Sequence, residues 1–182
     1  MSGMSRKILL LFTLLGICCF AAAQELDGVQ HPLHDDLLDH LSGNWNLSGK
    51  MAGAQTTHTI HADWVLNHQF LLFHEKQSDT PRKGAVPYEA MVFIGYDNTS
   101  ERYVAHWLDI FGGRIDETLG YGTRAGNAIN FVFEYPDGPF RTSFIWQPEQ
   151  HTWHMLMSQK DQSGKWKSFA DATLASKSGS GT

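Results

Sequence analysis

Ten strand-like runs follow one another in this chain with no helical stretch between them, at 44–52, 55–65, 69–77, 88–96, 102–109, 114–122, 128–135, 139–147, 152–159 and 165–174. That pattern leaves few folds open. Successive strands joined by short connections pair antiparallel, because a parallel crossover needs a dozen or more residues and usually a helix. Turn chemistry punctuates the runs: Asn67-His68, Tyr96-Asp97-Asn98-Thr99, Gly112-Gly113, Arg124-Ala125-Gly126-Asn127, Pro136-Asp137-Gly138 and Asp161-Gln162-Ser163-Gly164. In Pro-Asp-Gly, proline presets φ and glycine accepts a positive φ.

Alternation within the runs supports the same reading. Ile129, Phe131 and Phe133 share one face against Asn130 and Glu134. Phe140, Phe144 and Trp146 oppose Arg141 and Ser143, and Trp153, Met155 and Met157 oppose Thr152, His154 and Ser158. Trp166, Ala170 and Leu174 oppose Lys165, Lys167 and Asp171. A period of two places each set on one side of a sheet. An open meander of this length exposes two edges, and closure removes them. The expected fold is therefore all-β, a single antiparallel meander closed into a barrel of about ten strands.

Ahead of the first strand, Leu33, Leu37, Leu38 and Leu41 recur at helical spacing, with Pro32 at the start and Ser42-Gly43 at the end. A short helix over 33–41 is predicted. The domain expected is 33–175, preceded by a lead at 24–32 and followed by a small, polar, disordered tail at 176–182. No second domain and no internal repeat is visible.

The first residues read as a targeting signal. Arg6-Lys7 precede an apolar run from Ile8 to Phe20, then Ala21-Ala22-Ala23-Gln24. Basic start, short hydrophobic stretch and small-residue site make up a secretory signal peptide, with cleavage expected after Ala23. The run of 13 residues is too short for a helix to span a bilayer of roughly 30 Å, so no membrane span is expected after cleavage. Acylation at Cys18 is disfavoured by the bulky Ile17 before it. The mature domain is expected to be secreted or periplasmic.

Removal of residues 1–23 leaves 159 of 182 residues, and 12 Lys+Arg against 19 Asp+Glu. Both cysteines, Cys18 and Cys19, leave with the signal. Disulfides, thiol catalysis and cysteine-held metals are then excluded, and the core alone must stabilise the domain. A net charge of −5 on the whole chain, with no lysine or arginine run, argues against nucleic acid, whose binding rests on neutralising phosphates. Aromatic content of 12% with only 18% charged residues argues against disorder.

The helix followed by Leu41-Ser42-Gly43-Asn44-Trp45 resembles the G-x-W start of lipocalin-like (calycin) barrels. Ala62-Asp63-Trp64-Val65-Leu66, Gly95-Tyr96-Asp97-Asn98 and Tyr103-Val104-Ala105-His106-Trp107-Leu108-Asp109 resemble a bacterial family of exported or cytosolic proteins of unknown function with such a barrel. The likeness runs from about Leu38 to Leu174. It implies a barrel with an internal cavity and says little about the contents. A more distant likeness to haem-binding barrels of the nitrobindin type implies a proximal histidine, and no motif here supplies one; no cofactor is expected.

Histidines are numerous, 10 in all, but their spacing does not chelate. His58/His61 and His151/His154 stand three apart in strand-like segments, an odd offset that points the rings to opposite faces. His31 and His34 form only an exposed pair in the lead. A site assembled across strands, for instance from His61 and His74, is the remaining possibility, and no metal is expected. Asp116 and Glu117 are adjacent and face opposite ways in a strand. Ser143 and Ser168 lack a nucleophile elbow. Gly120-Tyr121-Gly122 is half of a dinucleotide motif with no helix after it, and reads as bend and turn glycines.

Tyr103, Ala105, Trp107 and Asp109 share a face, which puts Asp109 near one mouth of the barrel if Trp107 points inward. Large aromatic and thioether side chains line apolar cavities well. The expected function is the binding of a small, mostly apolar molecule, with Trp107, Phe144, Trp146, Trp153 and Met155 as apolar wall. Asp109 and His61 are expected to fix its orientation. One alternative is an enzyme of the isomerase or lyase type, marked by an acid/base pair facing one cavity. Another is a filled barrel serving as a protein-interaction module.

Overall fold

The computed structural model describes residues 31–81, 83–112 and 118–177. The expected signal peptide, the adjacent carboxylates Asp116 and Glu117, and the last residues of the tail lie outside the described residues. One short helix, α1 (Asp36–Leu41), precedes ten strands. They are β1 (Gly43–Met51), β2 (Ala54–Val65), β3 (Phe70–Gln77), β4 (Glu89–Asp97), β5 (Arg102–Asp109), β6 (Leu119–Ala125), β7 (Ala128–Tyr135), β8 (Gly138–Gln147), β9 (Thr152–Lys160) and β10 (Trp166–Ser176). Each pairs antiparallel with its neighbours in the chain, and β1 pairs with β10 to close the barrel. The expected all-β meander of about ten strands is the fold observed.

Inward-facing residues follow the predicted alternation through β7, β8 and β9. Ile129, Phe131, Phe133, Phe144, Trp146, Trp153, Met155 and Met157 are all buried. In β10 the alternation breaks. A bulge between Ser168 and Ala170 inserts Phe169 without a partner in the register, and an extra residue reverses parity beyond it. Trp166 therefore does not share the inner face with Ala170. It lies outside, with the Arg141 guanidinium 3.8 Å above its ring.

Other expectations shift for identifiable reasons. β6 runs on through Arg124 and Ala125, so the turn before β7 shrinks to Gly126 and Asn127. Gly120 and Gly122 are not turn glycines. They are inner-face residues within β6, and a Cβ there would lie 2.6 Å from the Phe133 ring and 2.7 Å from the Phe131 ring. Those phenyl rings occupy the space that side chains on β6 would fill. At the C-terminal end, Ser176 and Lys177 are held by β1, through pairing with Trp45 and a bond to the Asn44 carbonyl, so the chain stays ordered past the expected boundary at 176.

The helix is shorter than predicted because Asp35 caps it. The Asp35 carboxylate accepts from the backbone N–H of Leu37 at 2.9 Å and of Leu38 at 2.8 Å, which fixes the helix start at Asp36 rather than at Pro32. Six residues do not hold a helix in water on their own. This one survives because Leu37, Leu38 and Leu41 are buried against the barrel, each contributing about 1.5–3 kcal/mol of apolar burial. Polar ties fix its position. Trp45 Nε1 donates to the Leu41 carbonyl at 2.8 Å and Trp153 Nε1 to the His40 carbonyl at 3.1 Å. The Tyr103 hydroxyl donates to Asp35, and Arg124 reaches both oxygens of Asp36 at 2.5 and 3.0 Å. One end of the barrel is thereby sealed.

Candidate functional site

A cavity of about 490 Å³ enters the barrel from the end away from α1. Deeper in the barrel lies a packed aromatic layer, where Phe144 meets Phe73 and Phe131 edge-on. The cavity's two sides differ in chemistry. Strands β7 to β10 supply apolar surface: Phe133, Tyr135, Phe140, Met157 and Phe169. Strands β2 and β3, with the segment leading into β4, supply Thr56, His58, Glu75, Gln77, Asp79 and Tyr88. Trp107 and Asp109 of β5 stand between the two.

Register explains why the polar groups meet. Ile60, Glu75, Ala90 and Asp109 form one row across β2, β3, β4 and β5. Ala90 separates the two carboxylates by a side chain too small to fill the gap. The Tyr88 ring occupies this region, donating its hydroxyl to Asp109 Oδ2 at 3.4 Å and accepting from Trp107 Nε1 at 3.0 Å. Burial, and secondly the charge of Glu75, push the Tyr88 hydroxyl well above the usual tyrosine range, so it is a neutral donor at any physiological pH. Asp109 also caps its own turn, accepting from the Phe111 N–H at 2.9 Å.

Deeper on the same side lies a buried pair. His58 is 3% exposed and Glu75 is 0% exposed, and His58 Nδ1 faces Glu75 Oε1 in a short hydrogen bond. His58 Nε2 is 3.0 Å from Thr56 Oγ1, which in turn donates to Asp79 Oδ1 at 3.3 Å. Glu75 Oε2 is buried and has no hydrogen-bond partner among the described residues.

Of the residues expected to form the site, Trp107 and Asp109 line this cavity. Phe144 and Met155 are buried in the layer beneath it, and Trp146 and Trp153 pack around α1 at the sealed end, with the His40 ring stacked 4.7 Å from Trp146. His61 points outward, its Nδ1 2.9 Å from Asn44 Oδ1. It sits in a shallow outer groove with His74, its register partner across β2 and β3. His74 in turn bonds Glu89 at 2.7 Å. Among the described residues no three His, Cys, Asp or Glu side chains are grouped to hold a metal ion.

His58, Glu75, Thr142 and Tyr88 were missed, and the parity that identifies three of them is present in the sequence. His58 shares its face with Ile60 and Ala62, Glu75 with Leu71 and Phe73, and Thr142 with Phe140 and Phe144. A polar residue continuing an apolar face is the mark of an inward polar group. His61 lies on the opposite face from Ile60, which excludes it from the interior.

A family model matches residues 31–175, a span that includes α1, β1 to β9, all of β10 except Ser176, and every residue lining the cavity. The chain belongs to the DUF1579 family. That family is described as a protein of unknown function. No curated protein matches the chain significantly. The barrel and its cavity are thus the available guide to what this member of DUF1579 does.

Proposed function

We propose that the protein is an exported, lipocalin-like barrel that binds a small, mostly apolar molecule in its open end. The observation that carries the reading is the 490 Å³ cavity with one aromatic wall and one polar wall, which falls in the volume range of small-molecule sites. Apolar surface supplies affinity, and the convergent polar groups fix orientation. The G-x-W start and the export signal support the lipocalin-like and extracytoplasmic parts of the reading.

The neutral solvatochromic dye Nile red tests it. Saturable one-to-one uptake is expected, with energy transfer from tryptophan. Thr142, buried at 1% exposure on the cavity wall, offers the control: Thr142→Phe fills part of the space and is expected to weaken uptake at least tenfold. Uptake that does not saturate, or that is indifferent to Thr142→Phe, overturns the proposal.

One observation favours a second reading. His58 and Glu75 are an acid/base pair within hydrogen-bond reach on one cavity wall, the arrangement a proton-transfer enzyme requires. Deuterium exchange into the α-position of a ketone seated in the cavity, lost in Glu75→Gln, is its signature. No exchange above the solvent rate refutes it.

A further inference from the structure

Resting on the cavity as a small-molecule site, the polar wall specifies the polar end of the ligand. Proton bookkeeping around His58 comes first. The Asp79 carboxyl is held below the usual carboxylate range, chiefly by the Gln77 side chain and also by Thr56, so it is an acceptor only. Thr56 spends its single hydroxyl proton on Asp79 and must therefore accept from His58, whose Nε2 carries a hydrogen. The short bond between His58 Nδ1 and Glu75 Oε1 needs one more proton between them. Whichever atom holds it, the pair is neutral overall.

Beyond that neutral pair, the described lining holds carboxylate acceptors and no lysine or arginine to answer them. The lining carboxyls are those of Glu75, Asp79 and Asp109. Among the described residues, Asp109 accepts from neutral donors, the Tyr88 hydroxyl and the Phe111 N–H. Glu75 lines the cavity and is wholly buried, and its Oε2 has no donor among the described residues. Buried polar atoms in folded proteins are almost always satisfied, and an exception calls for an explanation. A ligand's N–H supplies one. Tyr88, Trp107, Phe133 and Phe140 line the same cavity, and aromatic faces suit a cation as well as a hydrocarbon.

We propose that the ligand is an apolar molecule carrying a protonated amine, seated with its nitrogen on Glu75 Oε2 and its hydrocarbon body against Phe133, Phe140 and Met157. A fatty acid or a phosphate ester would bring its charge beside Asp79, Asp109 and Glu75 with no lysine or arginine in the described lining to offset it, and like charges in a water-poor site repel strongly. The described lining thus discriminates by holding no lysine or arginine as well as by the presence of Glu75.

Calorimetric titration of the whole protein with four probes of one shape tests this: phenylbutylamine, phenylbutanol, phenylbutanoate and butylbenzene. A charge-assisted hydrogen bond predicts that the amine binds ~10-fold or more tighter than the alcohol. The carboxylate is expected to bind most weakly. In Glu75→Gln the amine's advantage should fall to within about threefold of the alcohol, while butylbenzene binding is retained and shows that the cavity is intact. Equal binding of all four probes, or a preference for the carboxylate, overturns the amine anchor and leaves the cavity reading standing. Failure of all four together with failure of Nile red overturns both. Should Glu75→Gln not fold, the ranking on the native protein decides the matter.

Discussion

Replacing His58 by leucine tests the buried pair as a structural element, independent of any ligand. The substitution leaves the carboxyl of Glu75, which is 0% exposed, with neither oxygen partnered. Removing one member of a buried ion pair typically costs about 3–5 kcal/mol, because the remaining group keeps its desolvation penalty without its attraction. For a domain of this size a stability change of 1 kcal/mol moves Tm by about 2–4 °C, so the expected drop is about 6–20 °C. Glu75→Leu should cost less, about 1–3 kcal/mol, since His58 keeps its bond to Thr56 and loses one partner. The double variant His58→Leu/Glu75→Leu should be more stable than His58→Leu alone, because no unpaired carboxyl remains and the leucines fill similar volume. Urea unfolding followed by the fluorescence of the six tryptophans measures all three. If the double variant loses the sum of the two single losses, or if His58→Leu costs less than about 1 kcal/mol, the two residues are not a coupled buried pair and the reasoning fails.

The remaining predictions concern the sealed end. Asp35→Ala removes the cap of α1 together with the acceptor for the Tyr103 hydroxyl, and a loss of about 1–3 kcal/mol is expected in the same unfolding assay; an unchanged midpoint contradicts the capping role. The Arg124 guanidinium holds the Asp36 carboxyl down to about 2. A depressed value contributes stability in full above the unfolded value of about 3.9 and loses it as pH falls through about 2. Arg124→Gln should therefore flatten the fall in Tm across that acid window. At the other extreme, burial and the bond to Asp35 push the Tyr103 hydroxyl up to about 12. Its contribution is complete below pH ~10 and disappears as pH rises toward ~12, a slope that Tyr103→Phe should remove.

Parity and closure are direct readings of the sequence, and height along the barrel axis takes a further step. Parity gave the inner face of β7, β8 and β9 residue by residue, since one face of each is apolar and the other polar. Closure followed from the number of strands and the cost of free edges. Height along the barrel axis was the missing coordinate. Trp146 and Trp153 do point inward, yet they lie at the sealed end and not in the cavity. The sequence held the means to place them. A helix just before β1 sits where β1 starts, and strands that alternate in direction bring the end of β8 and the start of β9 to that same level. Trp107 and Asp109, at the end of β5, fall at the opposite level.

Two further departures have local causes. Trp166 was misplaced because the bulge at Phe169 shifts parity, and a bulge leaves little trace in a single sequence. His61 falls outside the barrel because Ile60 and Ala62 mark the face of His58 as the inner one. The polar wall itself is built from His58 and Thr56 on β2, Glu75 on β3, and Tyr88 ahead of β4. Such a cluster exists only once the strand register is known, so residue types and spacing do not announce it.

The most direct test of the central claim is native mass spectrometry of the protein purified from its own cellular compartment, beside its Thr142→Phe variant. A small-molecule adduct is expected on the native protein, one ligand per chain, absent or much reduced in the variant, and recovered by denaturing extraction as an apolar amine. A bare mass for the native protein at concentrations where added Nile red also fails to bind would contradict it, and would leave the barrel as a scaffold with an unused hollow.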